Sequence, residues 1–150
     1  MTQPRIPAIL DDQIGFNLSR VAQLFRSELM HALADYKLTP EQWQVMQTLW
    51  STAQGLNQNE VAHLTLKDKH SVSRILGRLE RDGWISRRPD PQDARAFIVE
   101  LTAKSNARRA EVPARLWAHF TDILGVLEGD ETAQLLALLK KLRRKLGDEC

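Results

Sequence analysis

The sequence predicts a mainly α-helical fold interrupted by one small β wing. Three observations carry that prediction. Apolar residues recur at three- and four-residue steps through most of the chain, the period that gathers them on one face of a helix. Strict alternation is confined to Phe97, Val99 and Leu101, which follow a second strand-like run, Trp84 to Arg88, across a connection rich in turn residues. The length of 150 residues, 43% of them hydrophobic, suffices for one compact domain or two interdigitated lobes without disulfide or metal staples.

Residues 1 to 10 hold Pro4 and Pro7 among scattered apolar side chains and read as an extended arm. Ile6, Ile9 and Leu10 are too apolar for a free tail. Asp11 or Asp12 is expected to cap the helix that follows, where Ile14, Leu18, Val21, Phe25 and Leu29 form one face as far as Ala34. Thr39, Pro40 and Glu41 make a second start signal. They supply a cap, a proline at the first helical position where no N–H is needed, and an acid where the helix dipole favours one. This helix carries Trp43, Met46, Leu49 and Trp50, which read as core, with Trp43 and Met46 also suited to the wall of an apolar cavity. Ser51 to Leu56 reads as a linker. Asn57 and Glu60 have capping-box spacing and start a short helix with Val61 and Leu64 inward. His63 shares a face with Glu60, but no third ligand follows at a convincing spacing, so no metal site is expected.

From Asp68, a cap, the residues Val72, Ile75, Leu76 and Leu79 define the buried side of the next helix. At 100° per residue the opposite side holds His70, Arg74, Gly77 and Arg81, flanked by Ser73 and Arg78. Gly77 lies mid-face, where alanine would favour the helix by roughly 1 kcal/mol. It marks a close approach, either to a groove wall or to another helix. Gly83 ends the helix, and the strands Trp84 to Arg88 and Ala96 to Leu101 follow, with Phe97, Val99 and Leu101 inward and Arg95 closing the connection PDPQDAR. Two short helices, the second with a cationic outer face, beside a basic hairpin make a winged helix-turn-helix, a shape suited to duplex DNA. Recognition helices enter the major groove by the N-terminal turn, so His70, Ser71 and Ser73 are the candidates for base edges. The longer Lys69, Arg74 and Arg78 suit phosphates, and Arg74 can also reach a guanine. A ribbon tip can put Arg95 into the adjacent minor groove, where the potential is most negative. Arg88 and Asp93 complete the DNA-binding candidates, Asp93 either holding Arg95 or Arg88 by a charge-assisted hydrogen bond or serving the turn alone.

After Thr102, a cap, a long helical pattern runs to about Glu128, with a bend expected at Pro113. Leu116, Trp117, Phe120, Ile123, Leu124 and Leu127 form its apolar stripe. A last helix carries Leu135, Leu138, Leu139, Leu142 and Leu146, more leucine than one helix needs to pack on its neighbour. These ends therefore read as a helical dimerisation region, residues 1–37 and 102–150, around a DNA-binding lobe at 38–101.

Net charge is only +2, yet Lys67 to Arg88 holds seven Lys/Arg against three acids. So local an excess suits a defined phosphate footprint better than indiscriminate polyanion binding. The single cysteine, Cys150, permits no internal disulfide and no Cys-rich zinc site, which fits a reducing cytoplasm. The start resembles neither a signal nor a transit peptide, and no apolar run is long enough for a membrane span. No nucleophile with base and orienter, no phosphate-cradling glycine loop and no metal-ligand spacing is present, so neither an enzyme nor a cofactor is expected.

Taken together, LTPEQWQVMQTLW, the Asn-started short helix and SVSRILGRLERDGWISRRPDPQDARAFIVELT resemble the MarR family of winged helix-turn-helix transcription regulators over roughly residues 11 to 147. Asp93, Arg95, Leu101 and Thr102 match that family's Asp-x-Arg wing signature and its Leu-Thr strand end. The resemblance implies a homodimer with a helical dimerisation lobe, a recognition helix near Asp68 to Arg81 and Arg95 in the minor groove. It also implies a pocket for a phenolic or other aromatic acid, with Phe16, Arg20, Trp43, Met46 and Trp117 as the candidates and Arg20 as carboxylate partner. The chain departs from the pattern in three places. Ala94 stands where many relatives carry arginine, the run AKSNARRAE after Leu-Thr lacks the glycine that many relatives place a few residues on, and the reactive cysteine of peroxide-sensing members is absent near the start.

The expected function is thus a dimeric, cytoplasmic, sequence-specific regulator of double-stranded DNA, a repressor released by a small aromatic or phenolic ligand. Its two reading helices, ~34 Å apart, would select a pseudo-palindromic site. The alternative is a winged-helix protein–protein adaptor without specific DNA binding. Such an adaptor would carry apolar or acidic residues where this chain has Lys69, Arg74, Arg78 and Arg81.

Overall fold

The computed structural model describes residues 3–148, which leaves Cys150 outside the described residues. The chain divides after Pro40 into two compact units. The first holds a one-turn helix α1 (Ala8–Asp11), the long α2 (Ile14–Leu33) and a 3-10 turn at Ala34–Tyr36. Two expectations change here. The arm is not wholly extended, because Pro7 is the N-cap residue of α1. Neither Asp11 nor Asp12 caps α2. Its N-cap is Gln13, without a side-chain bond, and Asn17 Nδ2 instead donates to the Asp11 and Gln13 carbonyls at 2.6 and 2.9 Å. Ile14, Leu18, Val21 and Leu24 lie exposed along α2.

The second unit holds α3 (Pro40–Ser51) from its second residue on and continues through β1 (Leu56–Asn57), α4 (Gln58–Thr65), α5 (Lys69–Arg81), β2 (Ile85–Pro89), β3 (Phe97–Leu101), α6 (Ala103–Arg108), α7 (Glu111–Leu124) and α8 (Glu131–Lys145). The sheet is antiparallel in the order β1-β3-β2, with Arg87 opposite Val99 and Leu56 opposite Val99 on the other edge. A mainly helical chain with this small sheet has the winged-helix class expected of it.

The presumed linker contributes β1. Gly55 makes that pairing sterically feasible, since a Cβ there would stand 2.5 Å from Ile98 Cγ2 and 2.9 Å from the Val99 carbonyl oxygen. Asn57 then forms the expected capping box, accepting from Glu60 N at 2.9 Å while Glu60 Oε2 accepts from Asn57 N at 2.8 Å. In α4, Val61 and Ala62 are buried and Leu64 is exposed, against expectation. The helix has only eight residues, and at 100° per residue its buried arc centres between Val61 and Ala62, which leaves Leu64 beyond the edge. The core gathers Val45, Met46, Leu49, Val61, Val72, Leu76, Leu79, Ile85 and Val99, with Trp50 edge-on to both Trp43 and Trp84.

Pro113 breaks the long helix where a bend was expected. The break falls at Arg109 and Ala110, because a proline lacks the N–H for the Arg109 carbonyl and its ring crowds that same carbonyl. α8 leaves Leu135, Leu136, Leu138 and Leu142 exposed in the single chain.

Candidate nucleic-acid interface

Local chemistry fixes both ends of α5. Asp68 Oδ1 accepts from Ser71 N at 2.8 Å and its Oδ2 from the Ser71 hydroxyl at 2.7 Å, so the cap and the first turn are clamped together. These hydrogen bonds favour the ionised form and hold the Asp68 carboxyl below its ordinary value. At the far end Gly83 takes φ +79, Trp84 N donates to the Leu79 carbonyl and Gly83 N to the Glu80 carbonyl, which is a Schellman termination. Trp84 and Leu79 are both buried, as the apolar contact of that motif requires.

Between those ends the helix is strongly two-sided. Val72, Leu76 and Leu79 are buried, while Lys69, His70, Ser73, Arg74, Gly77 and Arg78 are exposed. Among the described residues, and apart from its own helix, a methyl at Gly77 would meet within 4 Å only Arg87 Nη2, at 3.8 Å. Ser71 is half-buried with its hydroxyl committed to Asp68, and so stands apart from His70 and Ser73 as a base-edge candidate.

Ion pairs divide the basic residues into two classes. Arg87 Nε lies 2.9 Å from Glu80 Oε2, an ion pair without the alignment of a hydrogen bond. Arg88 Nε is bonded to Glu100, and Arg81 lies 3.6 Å from Asp82. Lys69, Arg74, Arg78 and Arg95 have no ion-pair partner among the described residues. Three of these four stand on the exposed side of α5 and the fourth on the wing. Asp93 serves the turn: its Oδ1 accepts from Arg95 N at 2.9 Å and its carbonyl from Ala96 N at 2.9 Å. It therefore shapes the backbone that carries Arg95 and leaves Arg88 to Glu100. Phe97, expected inward, is 54% exposed. It shares a strand face with buried Val99 but lies one step nearer the tip, where it lines a cleft of about 550 Å³ with Asn57, Gln58 and Arg95.

A family model for the MarR family matches residues 36–96. A probable transcriptional regulator from Pseudomonas aeruginosa is 32% identical to this chain, with 89% of this chain and 98% of that one covered and a TM-score of 0.80. The chain belongs to the MarR family. A MarR variant from E. coli, solved in complex with operator DNA, shares 27% identity over 86% of this chain and 92% of its own, with a TM-score of 0.79. The transcriptional repressor CouR, solved on a 23-mer DNA duplex, shares 26% over 93% and 99%, with a TM-score of 0.84. Like its family, this MarR-family chain is a DNA-binding transcription regulator and not an enzyme. Among the described residues no helix is long and apolar enough to cross a membrane.

The residues expected to line an effector pocket have diverse surroundings. The Arg20 guanidinium lies 5.5 Å from the Phe16 ring centroid, Trp43 is half-buried edge-on to Trp50, Met46 is fully buried, and Trp117 is 74% exposed. One residue of the DNA-binding lobe was not legible locally. Gln58 Nε2 donates to the Lys69 carbonyl at 3.1 Å, tying the start of α4 to the start of α5. Its partner is eleven residues away, and no periodicity or cap signal marks such a bond.

Proposed function

We propose that this MarR-family regulator is a cytoplasmic homodimeric repressor that reads a pseudo-palindromic duplex site through α5. The observation that carries this reading is the row of exposed cations on α5, Lys69, Arg74 and Arg78, which like Arg95 beside them on the wing have no ion-pair partner among the described residues. In this reading His70 and Ser73 meet base edges, Ser71 sets the first turn, Lys69, Arg74 and Arg78 meet phosphates, and Arg95 enters the minor groove. Arg88 can join them only by giving up or sharing Glu100, and Asp93 acts through the Arg95 backbone.

The dimer rests on two apolar helix faces left uncovered in the single chain, one on α2 and one on α8. The functional division that follows is 38–101 for reading and 1–37 with 102–150 for dimerisation. Release by a small aromatic or phenolic ligand, with Phe16, Arg20, Trp43, Met46 and Trp117 around it, completes the proposal. A ligand acts this way only if it binds the DNA-incompetent arrangement better, and roughly 1.4 kcal/mol of preference changes DNA affinity tenfold.

The test is selection of bound genomic DNA, followed by affinity measurements on the recovered duplex. Affinity should fall steeply with salt, and Arg74→Ala and Arg95→Ala should each weaken binding while leaving the dimer folded. Unchanged affinity in both variants would remove these roles. Recovery of no specific fragment under any condition would favour the adaptor.

A further inference from the structure

Lysine is out of place at position 104. Thr102 caps α6, so Lys104 sits in the first turn of that helix, where the positive end of the dipole disfavours a cation. Its head group is used elsewhere. Lys104 Nζ donates to the Asp82 carbonyl at 2.8 Å and lies 4.6 Å from the centroid of the Trp84 ring. Asp82 is the C-cap residue of α5, and the negative end of that dipole favours the same charge. The lysine stem crosses the intervening turn, where a Cβ on Gly83 would stand 3.9 Å from Lys104 Cδ. Thr102 adds a second tie by donating from Oγ1 to the Gly83 carbonyl at 2.6 Å. The C-cap residue of α6 makes a third. Arg109 Nη2 donates to the Trp50 carbonyl at the end of α3.

A helix of only six residues is thus fastened at its start to the end of the reading helix and at its close to the end of α3. We infer that Lys104 is a positioning residue for DNA recognition, fixing the pose of α5 relative to α6 without touching DNA. A residue whose local cost is offset by a contact 22 positions away is expected where geometry, beyond local stability, is being held. The inference rests on α5 being the reading helix.

The experiment compares wild type, Lys104→Met and Lys104→Arg on the selected operator duplex and on a random duplex of equal length, across a salt series, with thermal unfolding alongside. Lys104→Met keeps the stem and removes the charge. It should weaken operator binding roughly fivefold, within the range for residues that tune a site they do not touch. Random-duplex affinity and the slope of log affinity against log salt should stay at wild-type values, because no phosphate contact has been lost. Lys104→Arg, which can donate to the same carbonyl and stack on Trp84, should restore operator affinity. Should Lys104→Met not fold, Lys104→Gln takes its place with the same expectation. A salt slope lower by about one would make Lys104 a phosphate contact and overturn the proposal. Parallel losses on both duplexes with a lowered melting temperature would make its role structural, and unchanged operator affinity would leave it none. Wild type binding no duplex selectively would overturn the DNA-binding reading and this proposal with it.

Discussion

Replacing Gly77 by alanine should move stability and DNA affinity in opposite directions. The site lies in the interior of a 13-residue helix, is exposed, and offers a new methyl only an ordinary contact with Arg87 Nη2 at 3.8 Å. None of the described residues must shift, so the helix-propensity gain of roughly 0.8–1.0 kcal/mol should appear almost whole. For a chain of this length that corresponds to a melting temperature higher by about 2–4 °C. The same methyl stands midway along the face that carries Arg74 and Arg78. Against a groove wall the added volume should cost ~1–3 kcal/mol, so operator affinity should fall by about fivefold to a hundredfold. Circular dichroism melts and fluorescence anisotropy on the selected duplex measure the two effects. A lowered melting temperature would contradict the open surroundings of Gly77. A raised one with unchanged operator affinity would mean that this part of α5 does not approach DNA.

Gly55→Ala should do the reverse in the fold. Its Cβ meets Ile98 Cγ2 at 2.5 Å and the immovable Val99 carbonyl at 2.9 Å, so a loss of about 1–3 kcal/mol in urea unfolding is expected, and a change under ~0.5 kcal/mol would contradict the β1–β3 register. Asp68 has its folded carboxyl held below the ordinary value of 3.8 by the Ser71 bonds. Its contribution is therefore present above that pH and is lost as pH falls through the folded value. Amide exchange at Ser71 should rise toward the rate of the Asp68→Ala variant only as pH falls below 3.8 and through the folded value, and a pH-independent exchange ratio between the two proteins would refute the clamp. Leu138→Glu places a charge on the exposed face of α8 and should convert the protein to monomers by light scattering without loss of helix. A wild type that is itself monomeric at micromolar concentration would refute the dimer.

Signals confined to a few residues survived into the structure. The Asn57–Glu60 capping box, the Asp68 cap and the Gly83 termination each depend on neighbours within five positions and formed as read, and of the row Val72, Ile75, Leu76 and Leu79 all are buried but Ile75, which is half-buried. Errors arose where a short element met an edge. Leu64 and Phe97 obey the right period but lie beyond the core that would cover them, and periodicity carries no information about where a core ends. The two-residue β1 was invisible because its partner is Ile98 and Val99, some forty residues on.

The sequence by itself determined the order and type of the main elements, the two faces of α5 and the density of positive charge around it, since all three follow from residue spacing along a helix or hairpin. Tertiary structure decided which of those charges are free. Read along the chain, Arg88 is a DNA-binding candidate like Arg74 and Arg78, and Arg87 adds to the same local positive charge. Folding sets Glu80 beside Arg87 and Glu100 beside Arg88 and leaves Arg74 and Arg78 without an ion-pair partner among the described residues. Whether an arginine is available depends on which carboxylate the strand and helix packing brings within about 4 Å, and that distance is not written in the spacing of residues.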